Sequence, residues 1–528
     1  MRMENIKGAL MYKNLVILII LFLGFILRLF KFFYLSTIQQ DSPQYLYQAM
    51  VLATGNLNLL ELCSISSKIT EINLFSIVIV PFYYLFKNWE IAGKVVSLIS
   101  SSLSLALLYI ILRNFLEKHI LYLVLLIYSF NPILIQESAE ILRESFFTFL
   151  VLLGVWFFIK GYYSDQRWKF FFFLLANLSW ILSSWVRVEG ITLIILTFLY
   201  LLSVFLFSKD RKTSLISLLS FSIIPFILLL AIIAYLSFYK GFFLTEIKVK
   251  LTLLNPFEQP FAKELKNFRY LDIPMPSPYF WDMLKQNLWL VAFGTTFFYK
   301  FIPTLHFSNF IFFLAGFKNL KSFIKDKPLV SYFLFLSFSY FLVLWYFTFT
   351  KWYMEKRYML HLLFFISPII ALGIENIKSF VQQRFNLSPN KIFIFLIIYI
   401  VVFSCIKIFK EYRPGDIWIK QVAIDVAKFI SDDQAKLCSI TACKNLVFTR
   451  EARVFFYVSK YKNVILCPAI EDRIFYIKLR EKSTEEIVNY IASKGYKFAV
   501  LEKEIFKEKV FILRQRLEAL GIRVYVVS

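Results

Sequence analysis

The sequence predicts a mainly α protein: a polytopic transmembrane helix bundle of about 11 spans with a small extracytoplasmic α/β domain at its C-terminal end. Three observations lead there. The 528-residue chain is 59% hydrophobic and only 18% charged, against about half and a quarter in soluble domains. Between residues 15 and 409 apolar runs recur, many of them roughly 17–25 residues long and so able to cross a hydrocarbon core of ~30 Å. Beyond residue 410 the composition is ordinary, and helix and strand signals alternate.

In chain order the spans fall at 14–34, 91–112, 120–135, 145–160, 170–186, 191–207, 215–238, 299–317, 329–349, 359–376 and 392–410. The first run exceeds the roughly 7–15 apolar residues of a signal peptide and has no small-residue cleavage site after it, so it reads as an uncleaved helix. Segments 72–86 and 288–298 are apolar but short, which suits interfacial or re-entrant positions. The count becomes about 13 if both cross.

Loops 113–119, 160–169, 208–214, 318–327 and 378–391 each carry at least two Lys or Arg. By the positive-inside rule they are cytoplasmic. That sets the N-terminus inside and residues 411–528 outside a multi-pass cytoplasmic membrane protein. It also accounts for the net charge of +24 without nucleic acid as a partner. The transmembrane domain is then 1–410, with outer loops at 35–90 and 239–287, and 411–528 is the extracytoplasmic domain.

In that last segment helices are expected at 418–430, 450–459, 484–494 and 509–520, and strands at 435–440, 463–467, 496–501 and 522–527. Ser483 and Glu486 resemble a capping box. Gly495 and Gly521 each end a helix before a strand, which implies a largely parallel sheet. Cys63, Cys405, Cys438, Cys443 and Cys467 lack paired zinc-type spacing. Cys438 and Cys443 could form a disulfide or remain two buried thiols. His119, His306 and His361 lack metal-ligand spacing and are assigned no role. Trp180, Trp185, Trp345 and Trp352 read as interfacial belt residues.

Charged residues at outer helix ends are the informative set, because ionisable groups near a membrane core are costly. They are Asp41; Glu137, Glu140, Arg143 and Glu144; Arg187 and Glu189; and Lys351, Glu355, Lys356 and Arg357. On the topology above all four groups lie on one side.

Their arrangement as Asp41-x-x-x-Tyr45-x-x-x-Ala49, then Glu140-x-x-Arg143-Glu144, Arg187-x-Glu189-Gly190 and Glu355-x-Arg357-Tyr358 resembles the GT-C membrane glycosyltransferases. It is most similar to the branch of protein mannosyltransferases, aminoarabinose transferases and RgtA/B/C/D-like enzymes. The sequence departs from that pattern at Ser42, where many relatives carry a second acid, and at Val188, where Pro is common.

The resemblance implies a sugar donor on a polyprenyl phosphate and an acceptor that is a lipid, a glycan or a protein. Asp41 would be the general base, and the second acid would come from Glu61, Glu71 or the second outer loop, where Glu140 is the candidate. Asp41 could instead hold a divalent cation, Mg or Mn, through oxygen ligands. Arg357, Arg187 and Lys351 would meet the donor phosphate, with Glu144, Arg143, Glu189, Tyr358 and Tyr45 lining the site. Plainer roles stay open for each group. Asp41 could be an N-cap, Glu140 to Glu144 an ion-paired helix start, Arg187 and Glu189 a local pair, and Arg357 with Tyr358 a membrane anchor. Other activities that fit a polytopic envelope protein are a lipid-linked oligosaccharide flippase or transporter and a polysaccharide polymerase or ligase. Transporters favour Gly- and Pro-broken helices at mid-membrane; only 14 glycines occur here.

Overall fold

The computed structural model describes residues 2–35, 37–55, 72–208, 210–238, 287–327, 329–351, 354–410, 417–429, 447–449, 452–462, 482–506 and 508–527. Cys63, Cys438, Cys443, Cys467, Glu61, Glu71, Trp352, the strands expected at 435–440 and 463–467, loop 239–286 and the side chain of Lys351 lie outside them. The chain forms two compact units. One comprises Met1–Arg28, Ser100–Glu137 and Glu144–Glu411; the other comprises Leu29–Ile99, Ser138–Arg143 and Tyr412–Ser528.

The protein is mainly α and multi-pass. Eight helices among the described residues are long and apolar enough to cross a membrane, or up to ten if two bent pairs each count as one span. The single runs are Leu15–Tyr34 of α1 (Arg2–Tyr34), α4 (Trp89–Leu112), α7 (Glu144–Tyr163), α8 (Gln166–Val186), α9 (Glu189–Phe207), Leu288–Leu305, Leu329–Thr350 of α15 (Leu329–Lys351), and α18 (Pro389–Lys410). Between α1 and α4 lie α2 (Ser42–Thr54) and α3 (Leu74–Phe86), and further along come α10 (Arg211–Phe238), α14 (Leu320–Asp326), α16 (Leu360–Phe365) and α22 (Lys503–Phe506). At 13 residues α3 is too short to span, in line with expectation.

The span pattern is corrected in three places. Segment 120–135 is two helices, α5 (Lys118–Ser129) and α6 (Pro132–Ala139), bent by 51°. Pro132 cannot continue α5, and Asn131 Oδ1 caps the new helix by accepting from the amides of Ile133 and Leu134 at 3.0 and 3.1 Å. Segment 359–376 is likewise broken, by 65°, between Lys356–Phe365 and α17 (Ser367–Phe385), with Pro368 in the first turn of α17. Residues 288–298 are not a short interfacial piece. They begin a run that passes through α11 (Leu288–Gly294), a π-helical turn (Thr295–Phe301) and α12 (Ile302–Leu305). That run ends at His306, whose φ of 75° is left-handed, and α13 (Phe307–Ala315) follows separately. The expected 299–317 helix is therefore broken at His306.

Within the first unit, glycines let helices approach to backbone contact. A Cβ on Gly373 of α17 would lie 1.7 Å from the carbonyl oxygen of Phe312 on α13, and one on Gly316 would lie 2.1 Å from that of Ile369. Backbone cannot step aside as a side-chain end can. Gly373→Ala should lower stability by about 1–3 kcal/mol, read as a lower melting temperature; an unchanged midpoint would refute this packing. Gly154 of α7 makes a similar seat for Trp180 of α8, whose Nε1 would lie 2.3 Å from a Cβ there. Trp180 is fully buried and donates to the Val151 carbonyl at 3.2 Å, so it is a core residue and not part of a belt. Trp185 is half exposed.

The C-terminal part of the second unit is an α/β layer. Strands β1 (Val447–Phe448), β2 (Phe498–Glu502) and β3 (Arg523–Val527) pair in that order and all in parallel. The register places Phe498 against Val447 on one side and Arg523 on the other. Helices α21 (Thr484–Ser493) and α23 (Lys509–Ala519) contribute Ile487, Ile491, Leu513 and Leu517 to the core over Ala499 and Leu501. The capping box forms: Ser483 Oγ accepts from the Glu486 amide at 3.2 Å, and Glu486 accepts from the Ser483 amide at 2.8 Å. Gly495 and Gly521 adopt φ of 73° and 75°, conformations that a side chain would strain. The remaining helices of this part are α19 (Ile417–Phe429) and α20 (Ala452–Lys462).

Candidate active site

In the first unit, three of the charged groups picked out by sequence meet. Glu144 opens α7, Arg187 and Glu189 form the turn from α8 to α9, and Glu355 to Tyr358 follow α15. Arg187 Nη1 donates to Glu144 Oε1 at 2.8 Å, while its Nη2 and Nε grip the two oxygens of Glu189 at 2.6 and 3.3 Å. Arg357 Nε pairs with Glu355 and lies 3.7 Å from Glu144 Oε1. The Tyr358 ring sits under both guanidinium groups, 4.5 Å from that of Arg187 and 5.7 Å from that of Arg357, a placement that favours cations.

This cluster is largely closed to water: the side chains of Glu144, Arg187 and Arg357 are 3%, 6% and 13% exposed. Burial alone would depress Arg187, but Glu189 and Glu144 outweigh it and raise the pKa, fixing the guanidinium in its charged form. Two guanidinium groups face three carboxylates, so the arginines are already occupied by anions. Glu144 Oε2 is a buried atom with no hydrogen-bond partner among the described residues.

Under the cluster lies a residue that sequence spacing missed. His361 is buried, with Nε2 3.2 Å from Thr148 Oγ1 and Nδ1 3.3 Å from the Tyr340 hydroxyl. Thr148 Oγ1 in turn donates to the backbone carbonyl of Glu144 at 2.8 Å. His361 thereby braces the helix turn that carries Glu144 against α15. Its partners are 213 and 21 residues away in the chain, and no local motif announces them.

The second unit holds the other acids. Asp41 is exposed at the N-cap position of α2, and its side chain makes no capping hydrogen bond. Pro43 in the first turn removes one amide that a cap would serve. Two residues before Asp41, Gln39 Nε2 donates to Glu140 Oε1 at 2.5 Å. Glu140 is buried, so this bond ties a second carboxylate to the turn that carries Asp41. Arg143 lies 5.9 Å above the Tyr45 ring, and that ring packs edge-on against Phe75. The 138–143 segment is pinned on α4, where a Cβ on Gly93 would lie 2.6 Å from the Ile141 side chain. Glu137 belongs to the first unit and Lys356 is exposed there. Gln39, a neutral residue, was not predictable from charge patterning.

Among the described residues no group of three or more His, Cys, Asp or Glu side chains could hold a metal ion.

No protein-family model matches the sequence, and no curated protein matches it. Among solved structures, the fold is similar to that of ArnT from Cupriavidus metallidurans in the apo state. The identity is 10%, the match covers 90% of this chain and 92% of that chain, and the TM-score is 0.45.

Proposed function

We propose that this chain is a membrane glycosyltransferase that moves a sugar from a polyprenyl-phosphate donor to a lipid, glycan or protein acceptor at the outer face of the cytoplasmic membrane. The observation that carries the reading is the acid pair on the second unit: Asp41, whose side chain does not cap α2, with Glu140 tied to the same turn through Gln39. A carboxylate exposed at the surface can accept a proton from an acceptor hydroxyl as that oxygen attacks the anomeric carbon. As the new bond forms, the C–O bond to the donor phosphate breaks, and the lipid phosphate leaves with the bonding pair. Displacement in one step inverts the anomeric centre. Glu140, desolvated and hydrogen-bonded, positions the turn.

The phosphate-binding role foreseen for Arg187 and Arg357 takes a restricted form. Arg187 is held by two carboxylates and is nearly sealed, while Arg357 is the more exposed of the two. Within the first unit, Arg357 is thus the candidate for a phosphate contact, taken in exchange for Glu355. A divalent cation, Mg or Mn, held on the Asp41 oxygens is the alternative role for that carboxylate. The reading keeps the N-terminus cytoplasmic and residues 411–528 outside.

The direct test supplies membranes containing the chain with a labelled polyprenyl-phosphate sugar. Label should appear in lipid, glycan or protein fractions and be absent from membranes lacking the chain. Equal label in both would overturn the proposal.

A further inference from the structure

The first turn of α4 holds a charge cluster that the transfer chemistry does not use. Glu90 is buried, and three ammonium groups gather on its carboxylate. Lys94 Nζ lies 3.1 Å from Oε1, Lys460 Nζ 3.1 Å from Oε2, and Lys420 Nζ 4.0 Å from Oε1. All four residues belong to the second unit: Glu90 and Lys94 on α4, Lys420 on α19 and Lys460 on α20.

One carboxylate needs one ammonium for neutrality. Among the described residues, three ammonium groups against one carboxylate leave a surplus of two positive charges. Burial is the main cause that lowers the pKa of Lys420; Glu90 acts to raise it, and Lys460 and Lys94 add to the lowering. The cluster also has a floor and an open rim. The Lys94 side chain is 7% exposed and also donates to the Leu35 carbonyl at 2.8 Å, whereas Lys420 and Lys460 are 31% and 38% exposed. Tyr457 lies beside them, its ring 5.0 Å from the Lys420 ammonium, and its hydroxyl accepts from the Ile38 amide at 3.1 Å.

We propose that Lys94, Lys420 and Lys460, gathered around Glu90, form a binding site for a phosphate group. A phosphate dianion matches the two surplus charges, and its oxygens can take charge-assisted hydrogen bonds from the two open ammonium groups. Lys94 and Tyr457 hold residues 35 and 38, a few residues before Asp41, so an occupied site stiffens the segment leading to that acid. The phosphate comes either from a lipid, as a polyprenyl phosphate or a phospholipid headgroup, or from solution. The inference stands without the transferase reading, because the test reads binding directly.

The test titrates the full chain in phosphatidylcholine nanodiscs with inorganic phosphate and with a short-chain polyprenyl phosphate, and repeats both in discs containing phosphatidylglycerol. Saturable binding is expected. It should weaken at least tenfold in the K420Q/K460Q double variant and tighten in Glu90→Gln, which removes the competing carboxylate. A plain salt-bridge staple would lose stability in Glu90→Gln without any gain in phosphate affinity. Preference for the polyprenyl phosphate assigns the ligand to a lipid carrier, competition by phosphatidylglycerol assigns it to a headgroup, and equal affinity for inorganic phosphate assigns it to solution. The proposal is overturned if no probe saturates, or if K420Q/K460Q binds every probe as the unaltered chain does. Both lysines are partly exposed, so that variant folds even where Glu90→Gln does not.

Discussion

Arg187→Met is expected to destabilise the protein by about 3–5 kcal/mol, the cost of removing one partner from a buried ion pair. Arg187 is shared by Glu144 and Glu189, and it stacks on Tyr358. Its loss leaves the Glu144 carboxylate sealed from water, with the Arg357 guanidinium at 3.7 Å as its remaining cation among the described residues. The methionine chain fills much of the volume, so the effect isolates charge and not a cavity. Arg187→Lys should recover only part of the loss, since one ammonium cannot grip Glu189 with two nitrogens and reach Glu144 as well. Thermal unfolding of the protein in nanodiscs measures this. A midpoint within a degree of the unaltered protein would mean that the cluster does not hold these helix ends together.

Asp41→Asn is expected to lower sugar transfer by roughly 10²–10⁴-fold, the range that a general base supplies. The change keeps size and shape and removes the proton acceptor. Because Asp41 is exposed and Asn keeps its size and shape, stability should move by less than about 0.5 kcal/mol. That separation of activity from stability is what a catalytic acid predicts and a structural one does not. Transfer assayed with the polyprenyl-phosphate sugar, beside a melting curve, tests both halves. Full activity in the variant would remove Asp41 from the chemistry.

Much of the helical fold was legible in the sequence because bilayer thickness dictates a run length that composition reveals. The helix–Gly–strand units of the last segment were legible for a similar reason. Ser483, Glu486, Gly495 and Gly521 each have one local task, visible within a few residues. What escaped depended on direction and on distance along the chain. Hydropathy counts apolar residues but does not register that Pro132 and Pro368 turn the axis. His306 in a left-handed conformation carries no compositional sign at all.

The candidate site divides along the same line. Its charged members were readable because charges at helix ends are conspicuous, and Arg187 with Glu189 was readable as a local pair. Gln39 and His361 were not, being neutral residues defined by partners far away. Lys420 and Lys460 were hidden among the basic residues of an ordinary-looking segment. Their meaning comes from Glu90, more than 300 positions earlier.

The seat that Gly154 makes for Trp180 has a consequence for inheritance. Neither residue can change alone: any side chain at 154 strikes the indole, and a smaller residue at 180 leaves a hole over the glycine. The two positions form one heritable character, written in two places on neighbouring helices. Lineages that abandon the tryptophan should be the ones in which 154 is released from glycine, and a drift at either site should leave its trace at the other.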